Sequence, residues 1–133
     1  VIARDTGEKP CVVVAGDNLL VVHRLAAALR ALGYRPATAS TAETLLRALE
    51  ARPTAAVVDL AARGFDAVEA VRRAKENPET RAVPFLGFCG HRDERLREAA
   101  RGAGCDLVAT NGAVAARLDQ LLRALLSRGR TPA

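Results

Sequence analysis

Short apolar, β-branched runs alternate in strict order with stretches of helical periodicity along the whole chain, and few architectures accept that alternation. The run Val12-Val13-Val14-Ala15, bounded by Pro10 and Gly16, has the composition of a strand buried on both faces. Val22, Leu25, Leu29 and Leu32 follow at helical spacing, with Gly33 placed to end the helix. Residues 34–39 read as a weaker strand, interrupted by Pro36 and suited to a sheet edge. Ser40 and Glu43 have capping-box spacing ahead of Leu45, Leu46 and Leu49, which predicts a second helix. Ala55-Ala56-Val57-Val58 reads as another buried strand, ending at Asp59. Asp66 and Glu69 repeat the capping spacing before Val68 and Val71. Residues 85–89 read as a fourth strand. A charged helix over 91–102 follows, with Leu96, Ala99 and Ala100 facing inward. A fifth strand over 107–110 precedes a last helix carrying Val114, Leu118, Leu121, Leu122 and Leu125.

Five strands alternating with five helices require right-handed parallel crossovers, with helices on both faces of one sheet. At 133 residues the expected solution is an α/β, flavodoxin-like doubly wound (βα)5 fold, its five-stranded parallel sheet ordered 2-1-3-4-5. The length fits one domain, expected over residues 11–126, with an N-terminal extension at 1–10 and a C-terminal tail at 127–133. The chain opens at Val1 without an initiator methionine, as a trimmed start or a domain cut from a longer chain would.

Composition removes several classes. The chain is 50% hydrophobic, too apolar for a disordered chain, yet no apolar run approaches the roughly 20 residues a membrane span needs. Residues 1–10 are polar and mixed in charge, unlike a signal peptide. The net charge of +5 comes almost wholly from arginines, because Lys9 and Lys75 are the only lysines. Those arginines are spread over every helix and are not interleaved with aromatics, so no nucleic-acid footprint is present. Cys11, Cys89 and Cys105 form no Cys-x-x-Cys spacing, and His91 near Cys89 gives too few ligands for zinc. Sparse, unpaired cysteines fit a reducing cytoplasm.

In such a sheet, ligands bind beyond the carboxyl ends of the strands, where the order switches between strands one and three. Strand one ends in Gly16-Asp17-Asn18, strand three in Asp59, strand four in Cys89-Gly90 and strand five in Thr110-Asn111-Gly112. Asp17 and Asp59 would face one another across the switch point, and such hard oxygen ligands suit Mg²⁺ with most of its waters kept. Either carboxylate could instead cap the next helix or turn. Asp59 has less need to, since Asp66 is available for the third helix.

Over residues 11 to about 126 the sequence resembles the response-regulator receiver domains of the chemotaxis-regulator type. The resemblance rests on Val57-Val58-Asp59-Leu60 followed by Gly64-Phe65-Asp66 and Glu69. Leu32-Gly33-Tyr34, Val83-Pro84 and Ala103-Gly104 with Asp106 keep the same register. It implies that Asp59 is the phosphoacceptor and that Asp17 is the second member of a metal-binding acidic pair. It further implies that Ala61 lends a backbone carbonyl to Mg²⁺, and that Gly90 keeps the phosphoryl site open. Departures from the family are equally specific. Gly16 replaces the first acid of the pair, Cys89 a Ser or Thr, Asn111 a Lys, and Gly112 a cis-proline. Val108 replaces an aromatic and Arg63 a Pro.

Acyl-phosphate chemistry at Asp59 needs the phosphoryl charge neutralised. Here one carboxylate and the expected lysine are missing, and Asn111 offers a hydrogen bond without the charge that roughly doubles its strength. The resemblance therefore implies a signalling module, not an enzyme, in one of two forms. One is an atypical receiver whose Asp59 accepts phosphate from a histidine kinase or phosphotransfer protein, with weakly bound Mg²⁺. The other is a pseudo-receiver that binds a protein partner, or a second copy of the domain, without phosphorylation. For either form the face of the fourth helix, fifth strand and fifth helix is the expected contact surface, and Val108 there cannot act by the usual aromatic rotation. A flavodoxin-like small-molecule or cofactor binder is a third class. Neither a Ser/Thr-rich phosphate loop, a P-loop nor a cobalamin motif is present to support it.

Overall fold

A computed structural model describes residues 9–128. The elements are β1 (Cys11–Ala15), α1 (Leu19–Ala31), β2 (Arg35–Ala39), α2 (Ala42–Leu49), β3 (Ala55–Asp59), α3 (Ala67–Glu76), β4 (Phe85–Cys89), α4 (Glu94–Gly102), β5 (Leu107–Thr110) and α5 (Asn111–Arg128). All strand pairs are parallel, in the order β2-β1-β3-β4-β5, so the expected doubly wound sheet is present. The extension and tail expected from the sequence fall largely on residues 1–8 and 129–133, which lie outside the described residues.

Strand alternation sorts the core into two layers. Val13, Ala15, Ala56, Val58 and Phe85 pack with Leu45 and Leu49 of α2, Val71 of α3 and Ala100 of α4. On the opposite face Val12, Val14, Val57 and Leu86 pack with Val22, Leu25 and Leu29 of α1 and with Leu118, Leu122 and Leu125 of α5. Strands β1, β3 and β4 are thus covered on both sides, which explains their unbroken apolar runs.

Several boundaries differ from the sequence expectation. The capping box of α2 belongs to Thr41 and Thr44, not Ser40 and Glu43. The Thr41 hydroxyl accepts the Thr44 N–H and the Thr44 hydroxyl accepts the Thr41 N–H, so two hydroxyls close the box one residue later. At α3 Asp66 accepts the Glu69 N–H, but the Glu69 carboxylate pairs with Arg72 and leaves the box half closed. Helix α4 begins at Glu94, because residues 91–93 are spent turning away from β4, and of its predicted inward residues Ala99 is exposed. Leu32, predicted for the buried stripe of α1, is its C-cap and is 39% exposed. Helix α5 starts immediately at Asn111 and is interrupted at Arg117, whose φ of −136° and ψ of 39° are not helical.

One polar cluster ties the second half of the sheet together. Lys75 Nζ donates to the carbonyls of Arg81 (3.1 Å) and Val83 (2.8 Å) and to Asp106 Oδ2 (2.7 Å). The same carboxylate oxygen accepts the Phe85 N–H at 2.8 Å, and the ammonium lies 5.2 Å from the Phe85 ring centroid. Asp106 thereby locks the α3–β4 connection to the start of β5. Asp106→Ala is expected to destabilise the fold by about 2 kcal/mol, since it strands the Phe85 N–H and takes the carboxylate from an ammonium left with two carbonyls, and Asp106→Asn by less. Urea denaturation of the two variants checks the order.

Candidate functional site at the carboxyl edge of the sheet

The ends of β1 and β3 are adjacent because their registers pair Ala15 with Val58. Asn18 caps α1, its Oδ1 accepting the N–H groups of Leu20 (3.1 Å) and Val21 (3.3 Å), and Asp66 caps α3. Neither Asp17 nor Asp59 is consumed as a helix cap. Asp17 instead holds the β3–α3 loop, its Oδ2 accepting the N–H groups of Arg63, at 2.9 Å, and of Gly64. A Cβ at position 64 would stand 2.9 Å from that oxygen, so glycine is what allows the carboxylate so close. The Arg63 N–H exists only because this residue is not the proline that the resemblance implies there.

Asp59 ends β3, half-buried, and its Oδ1 accepts the Ala61 N–H at 3.0 Å. Burial pushes its carboxyl above the ordinary 3.8; the Ala61 bond pulls it back, and the Asp17 charge pushes it further up. The missing carboxylate at Gly16 leaves no slack, since a Cβ there would lie 3.2 Å from the Asp59 Cβ and 3.3 Å from Val22. Asp17, Asn18, Leu19, Leu20, Asp59, Ala61 and Arg63 line one open cavity. Leu19 and Leu20 are 67% and 60% exposed and form an apolar lip on it.

The remaining predicted positions are not all brought to this cavity. Cys89 is buried in the α2–α4 layer, its Sγ 4.0 Å from the Asp93 carbonyl. Burial raises its thiol pKa, with Arg97 opposing. At Gly90 a Cβ would meet no atom within 4 Å, so open space lies beside it. Asn111 and Gly112 are exposed in the first turn of α5, where Thr110 Oγ1 accepts the Ala113 N–H (3.1 Å). Val108 is half-buried against the α4-side core.

Two arginines take roles here that sequence reasoning does not assign to them. Arg63 stands out in the sequence only as a replaced proline, yet its backbone N–H binds Asp17 and the residue lines the cavity of Asp17 and Asp59. Arg97 reads as one charge among many on a solvated helix. Its side chain is only 13% exposed, donating to the carbonyls of Gly90 (3.0 Å) and His91 (2.9 Å) and pairing with Glu94 (3.1 Å). The one signal for it in the sequence is its place beside Leu96 and Ala100 on the inward side of α4.

Among the described residues no three His, Cys, Asp or Glu side chains cluster as a metal site, so two carboxylates are the most this cavity offers. Asp17 has one oxygen engaged by two backbone donors and Asp59 has one engaged by Ala61, which leaves one oxygen on each. That set fits a divalent cation retaining most of its water, and not a tightly caged one.

Comparison with solved structures places this geometry among receiver folds. The chain is similar to a CheY-like response-regulator receiver domain protein from Methanospirillum hungatei JF-1 (TM-score 0.80, 15% identity, covering 92% of this chain and 98% of that one). It is also similar to the receiver domain of a sensor histidine kinase from Pseudomonas aeruginosa PAO1 (0.80, 22%, 90% and 98%), which holds a magnesium ion coordinated in its active-site cleft. A third similar structure is the signal receiver domain of a signal transduction histidine kinase from Syntrophus aciditrophicus (0.80, 20%, 93% and 95%). No family model and no curated protein sequence matches. The chain has the CheY-like receiver fold. Among the described residues no helix is long and apolar enough to cross a membrane.

A carboxyl whose pKa is raised on folding stabilises the fold fully only below its unfolded value, and that contribution is lost as pH rises through the folded value. At neutral pH in chelated buffer Asp59 therefore opposes folding. Asp59→Asn, which keeps an acceptor for Ala61, is expected to melt at a higher temperature than wild type at pH 7. The difference should shrink as pH falls toward 3.8. Thermal melts at a series of pH values in EDTA test this.

Proposed function

We propose that this chain is a two-component signalling receiver, not an enzyme, in which Asp59 accepts a phosphoryl group from a phosphohistidine donor. One observation carries the reading: Asp59, Asp17 and Arg63 border a single cavity at the β1–β3 switch point, and one Asp59 oxygen is free of hydrogen bonds among the described residues. The step balances simply. Asp59 Oδ2 attacks phosphorus, the P–N bond to the donor imidazole breaks, and the leaving nitrogen takes a proton from solvent. Ala61 N–H holds the other oxygen and so orients the nucleophile. Asp17, Asp59 and the Ala61 carbonyl are the residues that would hold Mg²⁺. When bound, it would neutralise phosphoryl charge.

Arg63 supplies the cation that Asn111 does not. The residue stands on the β3–α3 loop in the lining of the same cavity, and a guanidinium suits phosphoryl oxygens. The exposed lip of Leu19 and Leu20 gives the donor protein an apolar rim to dock on beside the acceptor. A donor histidine kinase or phosphotransfer protein, and cytoplasmic residence, follow from this reading.

A specific observation favours a second reading, phosphorylation-independent binding through the α4–β5–α5 face. Arg97 ties the β4–α4 loop by its carbonyls, and Val108 provides no rotating aromatic to couple this surface to Asp59. A protein partner or a second copy of the domain would meet the exposed Arg92 and Arg95 there, not the inward Arg97.

Intact mass after incubation with acetyl phosphate and Mg²⁺ separates the two readings. The first predicts a gain of one phosphate that Asp59→Asn abolishes and Arg63→Gln slows by about tenfold, the loss of one charge-assisted bond. No gain in wild-type protein leaves the constitutive module. Restoring the acid with Gly16→Asp is expected to enlarge the rise in melting temperature produced by Mg²⁺, while lowering the starting value in EDTA through crowding against Asp59.

A further inference from the structure

A second cavity opens at the amino edge of the sheet, about 16 Å from the first by the length of a five-residue strand. It has a volume of about 600 Å³ and lies between the starts of β1 and β2 and the α2–β3 turn. Its floor is apolar, made of Ala37, Ala48, Ala51 and Pro53, because small side chains on the edge strand and on α2 leave the layer unfilled. Its rim carries Lys9, Arg35 and Arg52, and among the described residues no carboxylate lines it.

Arg52 is the telling member. Its φ is +55°, the one positive value among described non-glycine residues, in the turn that closes α2 where its N–H donates to the Leu49 carbonyl (3.0 Å). Glycine is the residue such a helix-ending position favours, for lack of a Cβ. An arginine in a backbone conformation that favours glycine, on the lining of a cavity, fits a residue that binds a ligand there.

We propose that this cavity is a binding site for a phosphorylated small molecule with an apolar or planar portion. The planar part lies on the alanine and proline floor, and the phosphate meets Arg52, Arg35 and Lys9 at the rim. The cavity is of ligand size, and arginine forks are suited to phosphate recognition. This site is independent of Asp59 and of the reading proposed for it.

The test is a ¹⁵N–¹H NMR titration with AMP in EDTA, with adenosine and inorganic phosphate alongside. AMP is expected to shift the amides of Arg35, Arg52 and Thr54 saturably, more tightly than either fragment, and to leave the Asp59–Gly64 loop unmoved. Arg52→Gly should weaken AMP binding about tenfold while raising the melting temperature, a pairing that general destabilisation cannot produce. Arg35→Gln should weaken it as well. Unchanged AMP binding in both variants, shifts scattered over other arginine-bearing helices, or no saturable shift at millimolar AMP would overturn the proposal. So would an acidic peptide occupying the cavity where AMP does not.

Discussion

The double burial of β1, β3 and β4 is the constraint on which everything else depends. Valine and alanine runs that must be covered on both faces force helices onto both sides of the sheet, and parallel crossovers then send the chain outward in two directions from β1. The ends of β1 and β3 are left side by side with no helix between them, and a cavity at that point is a topological necessity. The sequence decides only which side chains stand there. In this chain they are two acids and an arginine.

Hydrogen bonding then redistributes the roles of those residues. Asp17 is shared between the cavity and the backbone of the β3–α3 loop, so the loop that carries Arg63 is anchored by the same carboxylate that would meet a cation. Asp59 carries its charge at a disadvantage that burial creates and Asp17 increases. On the far side of β4, Arg97 is spent on two carbonyls, and Cys89 is sealed beneath it. The Asp59 side of the site is open and charged, and the β4–α4 side is tied by hydrogen bonds.

The fold is legible in the sequence because unbroken apolar runs of strand length alternate with stretches of about 3.6-residue periodicity, written mostly in Val, Leu and Ala. Strand ends are legible for the same reason, so Asp17, Asp59 and Cys89 can be placed from the residues alone. Details that depend on one residue of phase are not. The α2 cap lies at Thr41 and not Ser40 because a threonine hydroxyl can close a box that the sequence pattern assigns to a glutamate. Leu32 and Ala99 lie at the ends of their apolar stripes, where helix termination and rotation decide burial. Long polar side chains are least legible. Arg97 acts through a guanidinium several bonds from the backbone, and spacing along a chain does not say whether it turns outward or in. The same holds for Lys75, whose links to Asp106, Arg81 and Val83 join α3 to the connections before β4 and β5.

The central claim is an acceptor carboxylate mechanically separate from the α4–β5–α5 surface. Hydrogen–deuterium exchange of the protein with and without acetyl phosphate and Mg²⁺, with occupancy followed by intact mass, addresses that separation directly. The predicted result is one added phosphate, with altered exchange confined to the loops that carry Asp17 and residues 59–66 and no change over residues 90–110. Exchange that changes across α4 and β5 in step with phosphate gain, or a protein that takes no phosphate, would contradict it.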